Sequence, residues 1–175
     1  VMTLRELTAR LSAAGIENAS HEARLLAEHV CGAPPHALLV PDAPLSDPEG
    51  RLEEAVRRRE SHYPLQYILG SWGFWRQEYE VSPDCLIPRS DTECLLETAL
   101  SLVPTNGRFL DVCTGSGCIA ISIANDRKDA AVTAVEKYDG AYEFLLKNIE
   151  YNRAENITPL KADATAEPIG EYNLI

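Results

Sequence analysis

The regular alternation of helices and strands in the second half of the chain is the feature that most constrains its fold. The hydrophobic pattern there predicts, in order, helix 91–102, strand 108–112, helix 117–125, strand 131–135, helix 140–152 and strand 157–162. Alternation at this spacing is typical of βαβ units, in which parallel strands form a sheet with helices on both faces. A further strand begins at Tyr172, and the chain ends at Ile175. We therefore predict an α/β fold whose doubly wound sheet is incomplete.

The first 70 residues have a different texture, because their apolar residues recur only at helical spacing. One helix contains Leu4, Leu7 and Leu11 and ends at Gly15; a second is capped by Ser20, contains Ala23, Leu26, Ala27 and Val30 and ends at Gly32; a third begins at Asp47-Pro48 and contains Leu52, Ala55 and Val56. A short turn follows from Pro64 to Leu69. This pattern predicts an N-terminal helical bundle.

Between these two regions lies a short segment rich in aromatic and β-branched residues. Trp72, Phe74, Trp75, Tyr79 and Val81 roughly alternate with polar residues, which predicts a β-hairpin. The predicted organisation is therefore a helical domain at 1–70, a hairpin and linker at 71–90, and an α/β domain at 91–175.

A loop of small residues follows the strand at 108–112. It reads Cys113-Thr114-Gly115-Ser116-Gly117 and runs directly into a helix. Small residues let a ligand approach the backbone closely, and the start of the helix offers free N–H groups. The loop lacks the Gly-Lys-Ser/Thr of a phosphate-binding loop and the GxGxxG of a dinucleotide site. An Asp-x-x-x-Gly-x-Gly pattern after a strand suits the amino-acid part of S-adenosylmethionine, although a tight strand-to-helix turn would have the same composition.

Acidic residues follow the next two strands. Glu136 comes about 20 residues after the loop, where a carboxylate can accept hydrogen bonds from two ribose hydroxyls. Asp163 follows the strand at 157–162, and Ala164 comes next. We predict that Asp163 meets an adenine amino group and that Ala164 lies beside the ring. Asp is common in turns, so this second assignment depends on the first.

Charge and composition restrict the classes of function. The formal net charge is -11, and residues 77–175 carry -9 of it. Nucleic-acid-binding proteins usually need a basic surface, so we expect no direct nucleic-acid binding. Five cysteines without a CxxC pair, together with scattered histidines, indicate neither a disulfide framework nor a metal site. With no apolar stretch long enough for a signal or a membrane span, we expect a cytoplasmic protein that does not bind membranes.

One segment is specific to a known family. Leu86-Ile87-Pro88-Arg89-Ser90-Asp91-Thr92-Glu93 resembles the IPRPxTE signature of the HemK/PrmC glutamine methyltransferases, and it stands about 20 residues before the glycine loop, as in that family. The helical front, the hairpin and Val81-Ser82-Pro83 match as well. The resemblance implies a Rossmann-like, S-adenosylmethionine-dependent methyltransferase domain. It also implies transfer of a methyl group to the glutamine side-chain nitrogen in the Gly-Gly-Gln loop of peptide chain release factors, which the helical domain helps to dock.

The family's site residues can be carried over position by position. The resemblance implies that the cofactor contacts Cys113, Thr114, Gly115, Ser116, Gly117, Glu136, Asp163 and Ala164, and that Leu86, Pro88 and Arg89 lie near the cofactor and the incoming glutamine. Cys113 stands where the family usually has glycine, so a positive φ there would carry a cost. Ser90 replaces the second proline of the signature.

The family's catalytic Asn-Pro-Pro-Tyr segment would follow the strand that begins at Tyr172. Asn173 lies inside that strand and does not correspond to the catalytic Asn, so we expect no catalytic residue in these 175 residues and no activity from them alone. Two alternatives remain open at this point. An N6-adenine methyltransferase acting on DNA or RNA would share the glycine loop, and a non-catalytic fragment could still bind a release factor.

Overall fold

The computed structural model divides the chain into two compact units, Val1–Leu69 and Gly70–Ile175. It describes residues 2–47, 49–166 and 169–175. As the sequence predicts, the first unit is helical and the second combines an antiparallel hairpin with a parallel sheet.

The first unit packs its helices around leucine and valine side chains. Its helices are α1 (Leu4–Ala13), α2 (Ala19–Cys31), α3 (Arg51–Glu60) and the short α4 (Leu65–Leu69), with a 3₁₀ turn at Ala37–Leu39. The side chains of Leu7, Leu11, Leu26, Leu52 and Val56 are fully buried. These residues recur at helical spacing because each helix turns one apolar stripe toward the others.

Two helix starts in this unit differ from the predicted ones. Ser20 does not cap α2, because that helix begins one residue earlier at Ala19, after Asn18, and no side chain caps it. Asp47 does accept the backbone N–H groups of Arg51 and Leu52, at 2.9 and 3.0 Å, although α3 itself begins only at Arg51. The predicted proline at the first helical position, Pro48, lies outside the described residues.

The second unit begins with the hairpin and continues with alternating helices and strands. Its elements are β1 (Ser71–Phe74), β2 (Gln77–Glu80), α5 (Asp91–Leu102), β3 (Arg108–Val112), α6 (Cys118–Asp126), β4 (Ala131–Glu136), α7 (Asp139–Tyr151) and β5 (Ile157–Lys161). The hairpin prediction is confirmed, with Trp72 paired to Tyr79. The predicted helix at 117–125 begins one residue later than expected, because Gly117 has φ +83° and precedes the helix instead of opening it.

The parallel sheet has the order β3-β4-β5, and the last residues of the chain continue it beyond β3. Leu174 forms a parallel bridge with Phe109, and its carbonyl accepts the N–H of Leu110 at 3.0 Å. The fourth strand position therefore lies beside β3, on the side opposite β4. This reversal of direction is the topological switch of doubly wound sheets, and ligands bind there, at the carboxyl ends of the strands.

All three helices of this unit contribute to one apolar core on one face of the sheet. Phe109, Val132 and Ile157 are partners across the three strands, and they pack with buried residues of α5, α6 and α7. Helices were expected on both faces, but in residues 70–166 and 169–175 they cover only this one. Helices α6 and α7 share a face because consecutive right-handed crossovers running in the same direction place their helices on the same side, and α5, which precedes β3, packs into the same core. On the opposite face, the Tyr172 hydroxyl bonds to Thr133.

Candidate functional site

Three turns meet at the carboxyl edge of the sheet. They follow β3, β4 and β5; the first contains Gly115, the second begins directly after Glu136, the last residue of β4, and the third contains Asp163. Backbone hydrogen bonds join them in sequence: the Thr114 N–H donates to the Val135 carbonyl at 3.0 Å, and the Ala162 N–H donates to the Glu136 carbonyl at 3.2 Å. The parallel register thus brings the predicted loop, the predicted ribose acid and the predicted adenine turn to one edge.

The loop after β3 is a tight structure with three left-handed residues. Cys113, Gly115 and Gly117 have φ values of +60°, +57° and +83°. The Thr114 hydroxyl donates to the Asp111 carboxylate at 2.6 Å, and the Gly117 N–H donates to the Thr114 carbonyl at 2.9 Å. Cys113 is exposed and occupies a conformation that suits glycine, so the strain expected from its replacement of the family's glycine is present.

The two glycines of the loop have different surroundings. A Cβ atom on Gly117 would lie 2.7 Å from Leu145 Cδ1 and 2.9 Å from Ile121 Cδ1, so this glycine permits close packing of α6 and α7. A Cβ atom on Gly115 would meet nothing within 4 Å. The Gly115 backbone therefore borders open space, as is required where a ligand packs directly on the chain.

Glu136 is buried, yet its carboxylate faces the loop. One oxygen accepts the Gly115 N–H at 3.0 Å, and the other accepts the N–H groups of Lys137 and Tyr138 at 2.8 and 3.0 Å. A carboxylate has about four acceptor positions. One position therefore remains for a ligand hydroxyl, and binding two ribose hydroxyls would require the release of one backbone N–H group.

Asp163 is engaged by its neighbours. One carboxylate oxygen lies 2.8 Å from Lys137 Nζ, and the other accepts the N–H and the hydroxyl of Thr165, at 3.0 and 2.6 Å. The Lys137 ammonium is the main reason that the pKa of Asp163 lies far below its ordinary value. Ala164 is half-buried beside it. Lys137 thus ties the turn after β4 to the turn after β5.

Asp111 is a polar residue of the site that the sequence analysis quoted only as part of a pattern. It lies at the end of β3, under the loop, where it accepts the Thr114 hydroxyl. Burial, with a smaller contribution from the negative charge of Glu136, raises the pKa of this carboxyl to about 6, although the hydrogen bond from Thr114 lowers it. The signal in the sequence was the Asp four residues before the first glycine.

The signature segment lies near the same edge. A Cβ atom on Gly140, in the first turn of α7, would lie 2.7 Å from Asp84 Cγ. Burial raises the pKa of the Cys85 thiol, and the charges of Asp84 and Glu136 add to that shift. Among the predicted substrate residues, Leu86 is 73% exposed, Arg89 is exposed, and Pro88 is buried. The segment therefore leaves Leu86 and Arg89 accessible at the surface.

Two further polar residues hold this region and were missed. Glu93, the last residue of the signature, accepts the N–H of Trp75 at 2.6 Å and so fixes the tip of the hairpin, where Trp75 has φ +56°. Asn148 in α7 has no exposed surface, and its amide bonds to Glu80 and Ser116. Glu93 belongs to the signature, but its partner and those of Asn148 lie 18, 68 and 32 residues away along the chain, so no local pattern in the sequence marks these contacts.

Other kinds of site were also sought in the structure. The residues it describes contain no cluster of three or more His, Cys, Asp or Glu side chains that could hold a metal ion. Among those same residues, no helix has the length and apolar character needed to cross a membrane.

Comparison with known proteins matches both units. Residues 3–70 match the PrmC N-terminal domain, and residues 96–169 match the TRM5/TYW2 methyltransferase domain. The release factor glutamine methyltransferase of Rhodospirillum rubrum is 42% identical over 142 residues, which are 79% of this chain and 44% of that protein. Those of Salmonella typhimurium and Escherichia coli are 36% and 35% identical over 81% and 91% of this chain, and 52% and 58% of their own length.

The chain thus spans about half the length of the curated relatives that it matches. Among solved structures, M. jannaschii TYW2 in complex with AdoMet matches 55% of this chain and 44% of its own, at 22% identity and a TM-score of 0.49.

Proposed function

We propose, on the premise that this chain belongs to the family of release factor glutamine methyltransferases, that its protein methylates the side-chain amide of a glutamine in a release factor. The methyl donor would be S-adenosylmethionine. The observation that carries the proposal is the approach of two elements: Asp84, two residues before the signature segment, packs against Gly140, four residues after the acid that faces the glycine loop.

The carboxyl edge of the sheet fits this donor. Gly115 leaves open space over the loop for the amino-acid part, and Glu136 retains an acceptor position for a ribose hydroxyl. Asp163 and Ala164 follow the next strand, where an adenine ring would extend from that ribose. We include Cys113, Thr114, Ser116 and Gly117 in the proposed cofactor site, as the residues that set the shape of the loop.

The chemistry demands positioning more than acid–base catalysis. When bound, the donor supplies an electrophilic methyl group on a sulfonium. The lone pair of an amide nitrogen is delocalised into its carbonyl, so this nucleophile must be held in line with the methyl carbon. We assign Leu86, Pro88 and Arg89 to the wall that holds the incoming glutamine. Buried Pro88 fixes the backbone, while Leu86 and Arg89 remain accessible to a protein partner.

The remaining parts of the proposal concern organisation and location. The helical domain at 1–70 would dock the release factor, 71–90 would carry the substrate wall, and 91–175 would hold the cofactor. An acidic chain with no disulfide pattern suits a cytoplasmic enzyme that meets its protein substrate directly. The net charge of -11 disfavours the alternative of a DNA or RNA adenine methyltransferase.

The test is a methyl-transfer assay on the full-length natural protein. It would be incubated with tritiated S-adenosylmethionine and a release factor, and, as a control, with the same factor carrying Ala in place of the Gln of Gly-Gly-Gln. We expect label only in the unaltered factor. Label in the Ala control, or in DNA or RNA offered at low salt, would refute the assignment.

A further inference from the structure

We infer that Asn148 is a positioning residue that links the cofactor loop to the signature segment, so that binding at one orders the other. The inference deepens the proposed function and rests on it. Asn148 lies in the last turn of α7 with no exposed surface.

The Asn148 amide forms two hydrogen bonds with the Glu80 backbone, as a neighbouring strand would. Its Oδ1 accepts the Glu80 N–H at 2.7 Å, and its Nδ2 donates to the Glu80 carbonyl at 3.0 Å. Glu80 is the last residue of β2, and Val81 to Cys85 follow it toward the signature. A single side chain therefore satisfies both backbone groups of Glu80, where the hairpin ends and the chain turns toward the signature segment.

The second proton of the same amide reaches the cofactor loop. Nδ2 also donates to the Ser116 carbonyl at 2.9 Å, between the two left-handed glycines. Both protons and one acceptor position of the amide are thus used, all in a buried setting. Removing the side chain would leave three backbone groups without this partner, and each loss of that kind is costly.

The helix that carries Asn148 also supports the signature segment at its other end. Two turns earlier, Gly140 lies against Asp84, whose own N–H is bonded to the Ser82 hydroxyl at 3.1 Å. The stretch that leads into the signature segment is therefore held to α7 at two points, at Glu80 and at Asp84. A ligand that fixes the Ser116 carbonyl must also fix Asn148 and, through it, the start of the segment, and the effect is reciprocal.

Asn152, which directly follows α7, offers a matched control one turn further along the chain. Its Nδ2 donates to the carbonyls of Glu78 and Asn148, both at 3.0 Å, so it also holds β2, but through backbone groups outside the loop. Asn152→Ala should loosen the hairpin without affecting the link to Ser116. Comparison of the two variants separates a loss of hairpin support from a loss of coupling.

The experiment is hydrogen exchange of the 175-residue chain, read by mass spectrometry with and without S-adenosylhomocysteine. In the unaltered chain we expect the ligand to slow exchange about tenfold at residues 79–85 as well as in the loop. Asn148→Ala should abolish the protection at 79–85 and weaken ligand binding about tenfold, since about one buried hydrogen bond to the loop is lost. Asn152→Ala should retain both the protection at 79–85 and the affinity for the ligand.

Protection confined to the loop in the unaltered chain, or protection at 79–85 that survives in Asn148→Ala, would overturn the inference. If the unaltered chain does not bind the ligand, the proposed cofactor site is wrong. The exchange of the ligand-free chains then still decides the structural link: Asn148→Ala must accelerate exchange both at 79–85 and at 116–119, whereas Asn152→Ala must not affect 116–119. Should Asn148→Ala fail to fold, Asn148→Ser takes its place in both comparisons.

Discussion

The Glu136 carboxylate accepts the backbone N–H of Gly115 at 3.0 Å, so the acid at the end of β4 and the glycine of the loop after β3 form one unit. The carboxylate thereby holds Gly115 in the left-handed conformation, and we propose a second role for Glu136, in which its remaining acceptor position binds a ligand hydroxyl.

The two loop glycines should respond differently to the same substitution. Gly117→Ala places a methyl group 2.7 Å from Leu145 Cδ1, in addition to the strain of φ +83°, so we expect a loss of about 2 kcal/mol or more in the free energy of unfolding. Gly115→Ala should cost only about 1 kcal/mol, from backbone strain, but its methyl group would fill the space reserved for the ligand.

Urea unfolding measures the stability of the Gly115→Ala and Gly117→Ala variants, and titration with S-adenosylhomocysteine measures their ligand binding. We expect Gly115→Ala to unfold near the unaltered midpoint and to lose binding. Equal stability losses for the two variants, or normal binding by Gly115→Ala, would contradict the distinction between a packing glycine and a ligand-facing one.

Cys113 should be a site of stored backbone strain. Its φ of +60° suits glycine, so Cys113→Gly should raise the free energy of unfolding by about 0.5–1 kcal/mol. Cys113→Ala keeps the strain and serves as the control, with no gain expected. Thermal unfolding of the three chains at equal concentration measures the difference, and a gain in the Ala variant equal to that in the Gly variant would show that the conformation is not the cause.

The strands and helices of the second unit were largely predictable because their apolar residues follow regular periods. Helix α5 and strand β3 have the predicted bounds, and the errors elsewhere are of one residue and lie where a backbone conformation decides the end of an element. Gly117 is an example: its composition fits a helix start, but its φ of +83° does not. Ser20 shows the converse, since a residue with a good capping side chain was not used as a cap.

The candidate site was predictable only in its local parts. The loop and Glu136 could be found because sequence spacing places them after consecutive strands. The contacts of Asn148 and Glu93 could not be predicted, because their hydrogen-bond partners depend on how distant elements pack. The ion pair between Asp163 and Lys137 could likewise not be predicted from the sequence, because the register of β4 and β5 brings the two residues together.

The stability of the chain should depend on pH through Asp111. Burial raises the pKa of Asp111 to about 6, from an ordinary value near 3.8, so the folded state binds its proton more tightly than the unfolded state does. The contribution of the protonated Asp111 carboxyl to the free energy of unfolding is fully present below about pH 4 and is lost as the pH rises through about 6. Asp111→Asn should therefore become more stable relative to the unaltered chain as the pH rises from 4 to 7, by up to about 3 kcal/mol.

Urea unfolding at several pH values between 4 and 7 tests the role of Asp111. Asp139→Asn, which alters a carboxylate that is 93% exposed, is the control and should show little such trend. A constant difference between Asp111→Asn and the unaltered chain across this range would mean that the carboxyl titrates normally.

The central claim is that the carboxyl edge of the sheet binds S-adenosylmethionine through Glu136. The most direct measurement is a calorimetric titration of the 175-residue chain with S-adenosylhomocysteine, beside the Glu136→Ala variant. Because the variant loses both a charged acceptor and the support of Gly115, we predict binding by the unaltered chain and at least about 100-fold weaker binding by the variant. Equal affinities for the two chains, or no binding by the unaltered one, would contradict the account.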